Sequence, residues 1–237
     1  MAQKIASQLE IPLITLDYEK DYMKKVIDKM YSDYSRNLTP NPDIECNNII
    51  KFPALWDYAN KIKAEFISTG HYARIKKINN TYQLLSGKDK QKDQSYFVYT
   101  LNQKDLSHIL FPIGNLKKEQ VRSIAKKLKF PNWDKKGTRG ICFVGKVDMK
   151  KFLKKKIKER KGQLISESKE IIGTHLGSKY FTIGERIGEA KGFEFLPEAR
   201  KKHHEKLYIA EKLAGNKILV VPENHPLLKK KEIKIHK

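Results

Sequence analysis

Only two cysteines occur in 237 residues, so no disulfide framework supplies this chain's stability. No apolar run approaches the ~20 residues that a membrane-spanning helix needs. The opening MAQKIASQLE reads as the end of an amphipathic helix and lacks the unbroken apolar centre of a secretory signal. A cytoplasmic protein with no membrane partner is therefore expected. Acids are scarce, 27 against 49 lysines and arginines, and the net charge of +22 excludes a polyanion-like surface. Metal-ligand spacing of the CxxC kind, a nucleophilic serine elbow and a Walker phosphate loop are all missing, and no metal is expected.

What is present suits a folded protein. Hydrophobic residues make up 39% and aromatics 10%, enough for a real core in one large domain or two smaller ones. The cation excess concentrates anions around the molecule, and nucleic acid is the partner it points to, bound with strong salt dependence. The plainer reading of a run such as KKFLKKKIKERK, residues 150–161, is a solvated helix face.

Along the chain, an apolar strand is expected over 11–17 and a helix over Tyr18 to Ser35, then a proline loop and a second helix from Asn47 to Ala64. A short strand from Phe66 to Ser68 follows. Strand, helix, loop, helix, strand is the order of a parallel α/β sheet, where ligands sit at the carboxyl ends of the strands. No glycine-rich phosphate loop precedes Ile11, so the pattern begins mid-domain. Next come a hairpin turning at Asn79-Asn80, a small helical unit with starts near Gln94, Gln103 and Lys117, and a basic helix from Asp148 to Arg160. Strand-like pieces GQLIS, KEIIGTH, KYFTIGER, KLYIAEK and NKILVV close the chain.

Each cysteine is either core filler or a reactive group. Cys46 follows Pro40, Pro42 and Asp43, and a helix starting at Asn47 would lower its pKa; Cys142 follows Gly140 with Lys135, Lys136 and Arg139 nearby, and positive charge favours thiolate. Asp43 is placed to move a proton or to bond its own turn. His71, after Thr69-Gly70, is placed to touch a nucleotide or to cap the strand. The stretch KDKQKDQSYF, 88–97, combines cations, amide and aromatics suited to RNA, while Asp93 also suits an N-cap.

In order and spacing, TPNPDIECNNIIKF, STGHYARI, KDQSYFVYTL, LFPIGNLKKEQVRSIAKKL, GICFVG and FTIGER resemble the tRNA-specific 2-thiouridylase family over about Ile11 to Leu228. That resemblance implies ATP, with Mg2+, to adenylate the wobble uridine, and a persulfide sulfur-donor protein to supply sulfur. Cys142 would receive the sulfur, and Cys46 would release it through a transient disulfide. Asn41, Pro42 and Asp43 would meet the target base, with Asp43 as acid/base group. Gly70 and His71 would meet the adenine nucleotide, and Lys92, Asp93 and Gln94 the tRNA.

The implied fold is a partial doubly wound parallel sheet of the PP-loop ATP pyrophosphatase type in residues 1–75. A helical tRNA-binding region carrying the catalytic cysteine would fill 76–160, and a β-containing region with the start of a β-barrel 161–237. The family's Ser-Gly-Gly-Val-Asp-Ser phosphate loop does not occur in this sequence. Asp-Ser-Thr-Gly before the second cysteine is replaced by KGTRG, and Gly-Gln-Arg by Gly184-Glu185-Arg186. Impaired thiolation is therefore expected, with a catalytically inactive tRNA-binding fragment and a two-cysteine redox protein as the rival readings.

Overall fold

Residues 73–86 form the hairpin that the Asn79-Asn80 pair requires. In the computed structural model β2 (Ala73–Ile78) pairs antiparallel with β3 (Thr81–Ser86), and both asparagines take positive φ, 45° and 66°. Two short strands precede and follow this hairpin: β1 (Ile67–Ser68) and β4 (Ile109–Leu110) run parallel, Ile67 against Ile109. The structure describes residues 1–135, 140, 142, 144, 145, 147–202 and 205–229.

The chain divides into two compact units, Met1–Asp28 with Asn41–Lys146, and Lys29–Pro40 with Val147–Lys237. The first contains α1 (Ala2–Gln8) and α2 (Glu19–Tyr22), whose helix continues as a π-type segment, Met23–Ile27. It also contains α4 (Pro42–Cys46), a second π-type segment Asn47–Lys51, and α5 (Phe52–Lys61). Its core joins α5 to the strands through Phe52, Ala59, Ile67, Ala73, Val98, Ile109 and Phe111. Burying a side chain such as Phe52 or Ile109 contributes about 1.5–3 kcal/mol. Two further helices, α6 (Gln103–Ser107) and α7 (Lys118–Lys127), follow β3 and β4, and α6 starts with a capping box of Asn102 and Asp105. Backbone packs so closely at Gly114 that a Cβ there would lie 1.8 Å from the Ala73 carbonyl oxygen.

The second unit takes in α3 (Asp28–Ser35) from Lys29 onward, α8 (Met149–Lys154), a mixed sheet and α9 (Pro197–Lys202). The sheet holds β5 (Gly162–Ile165), β6 (Ile171–His175), β7 (Phe193–Phe195), β8 (Leu207–Leu213) and β9 (Lys217–Pro222) in the order β7-β6-β5-β9-β8. Only β5 and β9 are parallel neighbours. Phe193, on β7, packs against Phe181 with ring centroids 4.2 Å apart and the planes tilted by 33°.

Several expected elements differ. The apolar stretch 11–17 is not a strand: among the described residues it has no ladder partner, Pro12 offers no amide hydrogen, and Ile11, Leu13, Ile14 and Leu16 are exposed. The second helix begins at Pro42, because Asn41 caps it, rather than at Asn47. Near Gln94 only a 3-10 turn forms, Ser95–Val98, and the basic helix stops at Lys154. KYFTIGER is a 3-10 turn at Ser178–Tyr180 with a single bridge from Arg186 to Tyr208, while the strand at Phe193–Phe195 had no alternating signal long enough to read.

Candidate functional site

The segment that carries Cys46 is set by its cap. Asn41 is extended, and its Oδ1 accepts from the amides of Asp43 (3.2 Å) and Ile44 (3.3 Å), while Pro42 fills the first turn where no amide donor is needed. The helix then runs through Cys46 without a break. Pro53 cannot donate inside the next helix, and the wider π-type turn Asn47–Lys51 immediately before it accommodates that loss. Cys46 therefore sits inside a helix and not ahead of one, so the helix-dipole lowering expected from a start at Asn47 does not operate.

Cys46 is 0% exposed, and Cys142 is partly exposed; both are free thiols. Their side chains are in hydrogen-bond contact, and that contact raises the Cys46 thiol most, followed by burial. Lys51 pulls it back down, and Asp43 pushes it further up. The net direction is up, opposite to the sequence expectation, and Cys46 keeps its proton. Asp43 has a second task. Its Oδ1 accepts the amide hydrogen of Cys142 at 3.1 Å, a bond between residues 99 apart in sequence.

Two more side chains belong to this cluster. Tyr22, 4% exposed, is raised by burial and then by Cys46, Cys142 and Asp43, which puts its phenol in the field of all three. Lys51 Nζ donates to Asn47 Oδ1 at 2.7 Å, and Asn47 Nδ2 donates to the Phe97 carbonyl at 3.0 Å. Tyr22 and Lys51 line a cavity of about 800 Å³ with Ile14, Leu16, Ala54 and Val144. Sequence reasoning missed both. Lys51 had a readable signal, since it lies five residues after Cys46 on what becomes a π-type turn; Tyr22 had none.

At the end of β1, Thr69 Oγ1 and His71 Nδ1 are 2.7 Å apart, and the His71 ring stacks on Phe52 and meets the edge of Phe111. Burial first, and Lys51 second, lower the His71 pKa to about 4, so the imidazole is uncharged. A Cβ added at Gly70 would meet no atom within 4 Å. Gln94 ties the next loop to this corner: its amide donates to the Tyr72 carbonyl at 2.9 Å and its Oε1 accepts from the Tyr72 amide at 3.1 Å. Asp93 Oδ1 accepts from the amides of Gly87 (2.8 Å) and Ser95 (3.1 Å). Burial alone would raise Asp93, but those bonds outweigh it and its pKa falls. Asp93 and Gln94 thus fix the loop, and of the three expected tRNA contacts only Lys92 is exposed.

The structure gathers Asn41, Pro42, Asp43, Cys46 and Cys142 into one cluster, with His71 linked to it electrostatically through Lys51 and Gly70 next to His71 in the chain. Lys136 and Arg139 lie outside the described residues. Lys135 is exposed, and its carbonyl accepts from Arg122. Glu185 stands in the second unit, where its carboxylate accepts from the Thr182 amide at 3.2 Å and lies 3.8 Å from Lys191.

Residues 1–146 match the family described as the tRNA methyl transferase HUP domain, and residues 150–223 match the tRNA methyl transferase PRC-barrel domain. A protein of Geobacillus kaustophilus named tRNA-specific 2-thiouridylase MnmA 1 is 42% identical over 228 residues, 95% of this chain and 60% of that protein. The Buchnera aphidicola (Acyrthosiphon pisum) and Nitrosomonas europaea proteins named tRNA-specific 2-thiouridylase MnmA are 44% and 38% identical, over 94% of this chain and 59% and 60% of theirs. The chain thus spans about 60% of the length of these relatives. With a HUP domain matched over more than half its length and a PRC-barrel domain after it, the chain belongs to the tRNA methyl transferase HUP-domain family, the family of the tRNA-specific 2-thiouridylases.

Proposed function

We propose that this chain carries the sulfur-transfer half of tRNA 2-thiolation, with Cys142 as the sulfur acceptor and Cys46 as the releasing thiol. The observation that carries this reading is the contact between the two thiols, one buried and one reachable from solvent, with Asp43 holding the amide of the second. A pair of sulfur nucleophiles in contact is what sulfur exchange needs and what methyl transfer does not use.

The difference in access supports an order of events. Only Cys142 can meet a persulfide on another protein. Its thiolate attacks the outer sulfur of the donor persulfide; a new S–S bond forms on Cys142, the donor S–S bond breaks, and the donor leaves as a thiolate. Cys46, enclosed, can reach only the Cys142 sulfur. When Cys46 attacks it as the thiolate, a Cys46–Cys142 disulfide forms and the transferred sulfur departs with the electron pair of the broken bond, becoming the 2-thio group of the base. A cellular dithiol reduces the disulfide afterwards. The Cys46 proton passes to Asp43, the acid/base group of the site, and Lys51 stabilises the resulting thiolate. A reducing compartment, the cytoplasm, keeps both thiols available between cycles.

Gly70 and His71 fit an adenine: open space above one backbone and an uncharged ring beside it. ATP with Mg2+, when bound there, would supply adenylation of the uridine oxygen as the leaving group. Asn41 and Pro42 would then border the base, and Lys92 the tRNA, while Asp93 and Gln94 hold Lys92's loop in place.

Incubation with a small-molecule persulfide and mass spectrometry of the trapped thiols tests the reading. Persulfide should appear on Cys142, vanish in Cys142→Ser and accumulate in Cys46→Ser. Labelling of Cys46 first, or of neither thiol, would overturn it.

A further inference from the structure

We propose that Tyr96 and Tyr99 form a stacking platform for the unpaired nucleotides that flank the reacting base, with Lys88, Lys90 and Lys92 gripping their phosphates. This rests on the reading of RNA as the substrate, and it assigns a recognition site for nucleotides that undergo no chemistry.

The two tyrosines are 62% and 61% exposed, the highest values among the large hydrophobic side chains described. Their ring centroids lie 6.2 Å apart with the planes tilted by 32°, so they form a pair. Exposing one aromatic ring is ordinary, but two neighbouring rings on one rigid turn are a surface that a planar ligand can cover.

The turn is held at both ends. Val98 is 0% exposed in the core, Phe97 meets Tyr96 edge-on at 5.6 Å, and the Phe97 amide donates to the Gln94 carbonyl at 3.0 Å. Asn47, the residue after Cys46, bonds the Phe97 carbonyl at 3.0 Å. The platform is thereby fixed to the helix that carries the buried thiol. Nucleotides on it would be neighbours of a base at the thiol pair and not a remote contact.

Charge selects the partner. Lys88, Lys90 and Lys92 are exposed on the loop just before the turn. The acids among them are engaged by backbone amides: Asp89 Oδ2 accepts from the Lys118 amide at 2.9 Å, and Asp93 accepts from Gly87 and Ser95. Cations beside stacking rings are the recurring composition of single-strand binding surfaces, because every base offers a π-face and every nucleotide a phosphate. Paired bases are closed to such a platform, since their faces are already stacked. An apolar protein partner fits less well, for the loop leading into the two rings carries three exposed lysines.

Binding of a fluorescent single-stranded heptaribonucleotide, and of the same strand in a blunt duplex, tests the proposal at fixed salt. Tyr96→Ala and Tyr99→Ala should each weaken single-strand binding about tenfold. Tyr96→Phe and Tyr99→Trp should retain it, and duplex affinity should stay the same. Unchanged thermal midpoints would show that the variants fold. Equal single-strand affinity in wild type and both alanine variants, or an equal loss for the duplex, would overturn the platform. The persulfide assay on Cys142 uses no RNA, so failure here and failure of the sulfur-transfer reading are told apart.

Discussion

Replacing Asp43 by alanine removes the 3.1 Å bond from the Cys142 amide to the Asp43 carboxylate, which joins the Cys46 helix to the backbone of Cys142. A hydrogen bond to a charged acceptor contributes about 1.5–3 kcal/mol, and the partial exposure of Asp43 argues for the lower end. About 1.5 kcal/mol is roughly a tenfold change in an equilibrium constant. That factor should appear in the effective concentration of one thiol at the other. Equilibrating the chain with reduced and oxidised glutathione at pH 6, quenching with acid and counting the Cys46–Cys142 disulfide by mass measures it directly. Asp43→Ala should need about tenfold more oxidising conditions than wild type, and Asp43→Asn, which keeps an oxygen without the charge, should fall between. An alanine variant with a wild-type disulfide equilibrium and a wild-type unfolding midpoint would refute the idea that Asp43 positions Cys142.

Lys51 lowers the Cys46 thiol. Lys51→Met should push that thiol further up and slow its alkylation about tenfold at a given pH, with Lys51→Arg restoring most of the rate; an unchanged pH profile for Lys51→Met would remove the lysine from the site. His71 and His175 are both lowered to about 4, each mainly by burial. A depressed histidine means that the unfolded chain binds protons the folded one refuses, so stability is complete above about pH 6.5 and falls as pH drops toward 4. Each histidine should cost about 2 kcal/mol by pH 5. Urea unfolding at pH 7.5 and pH 5 reads this, and His71→Gln should flatten the pH dependence of the first unit alone.

Local chemistry could be read from the sequence alone. The Asn79-Asn80 turn, the helix start near Lys117 and the corner at Gly70 follow from backbone preference and periodicity, which act over a few residues. The family motifs likewise named Cys46, Cys142 and Asp43 by order and spacing. The fate of 11–17 was not readable, because β-propensity makes a strand only where a neighbouring strand completes its hydrogen bonds. Nor was the sign of the shift at Cys46, since the cap at Asn41 moved the helix start upstream and the thiol met Cys142 and a buried setting in place of a helix dipole. Tertiary structure alone brings Asp43 to an amide 99 residues away and sets Tyr22 and Lys51 around the pair. Sequence chose the reactive groups; long-range packing decided which of them touch, which keep a proton, and which, as with Asp93 and Gln94, are used to hold a loop.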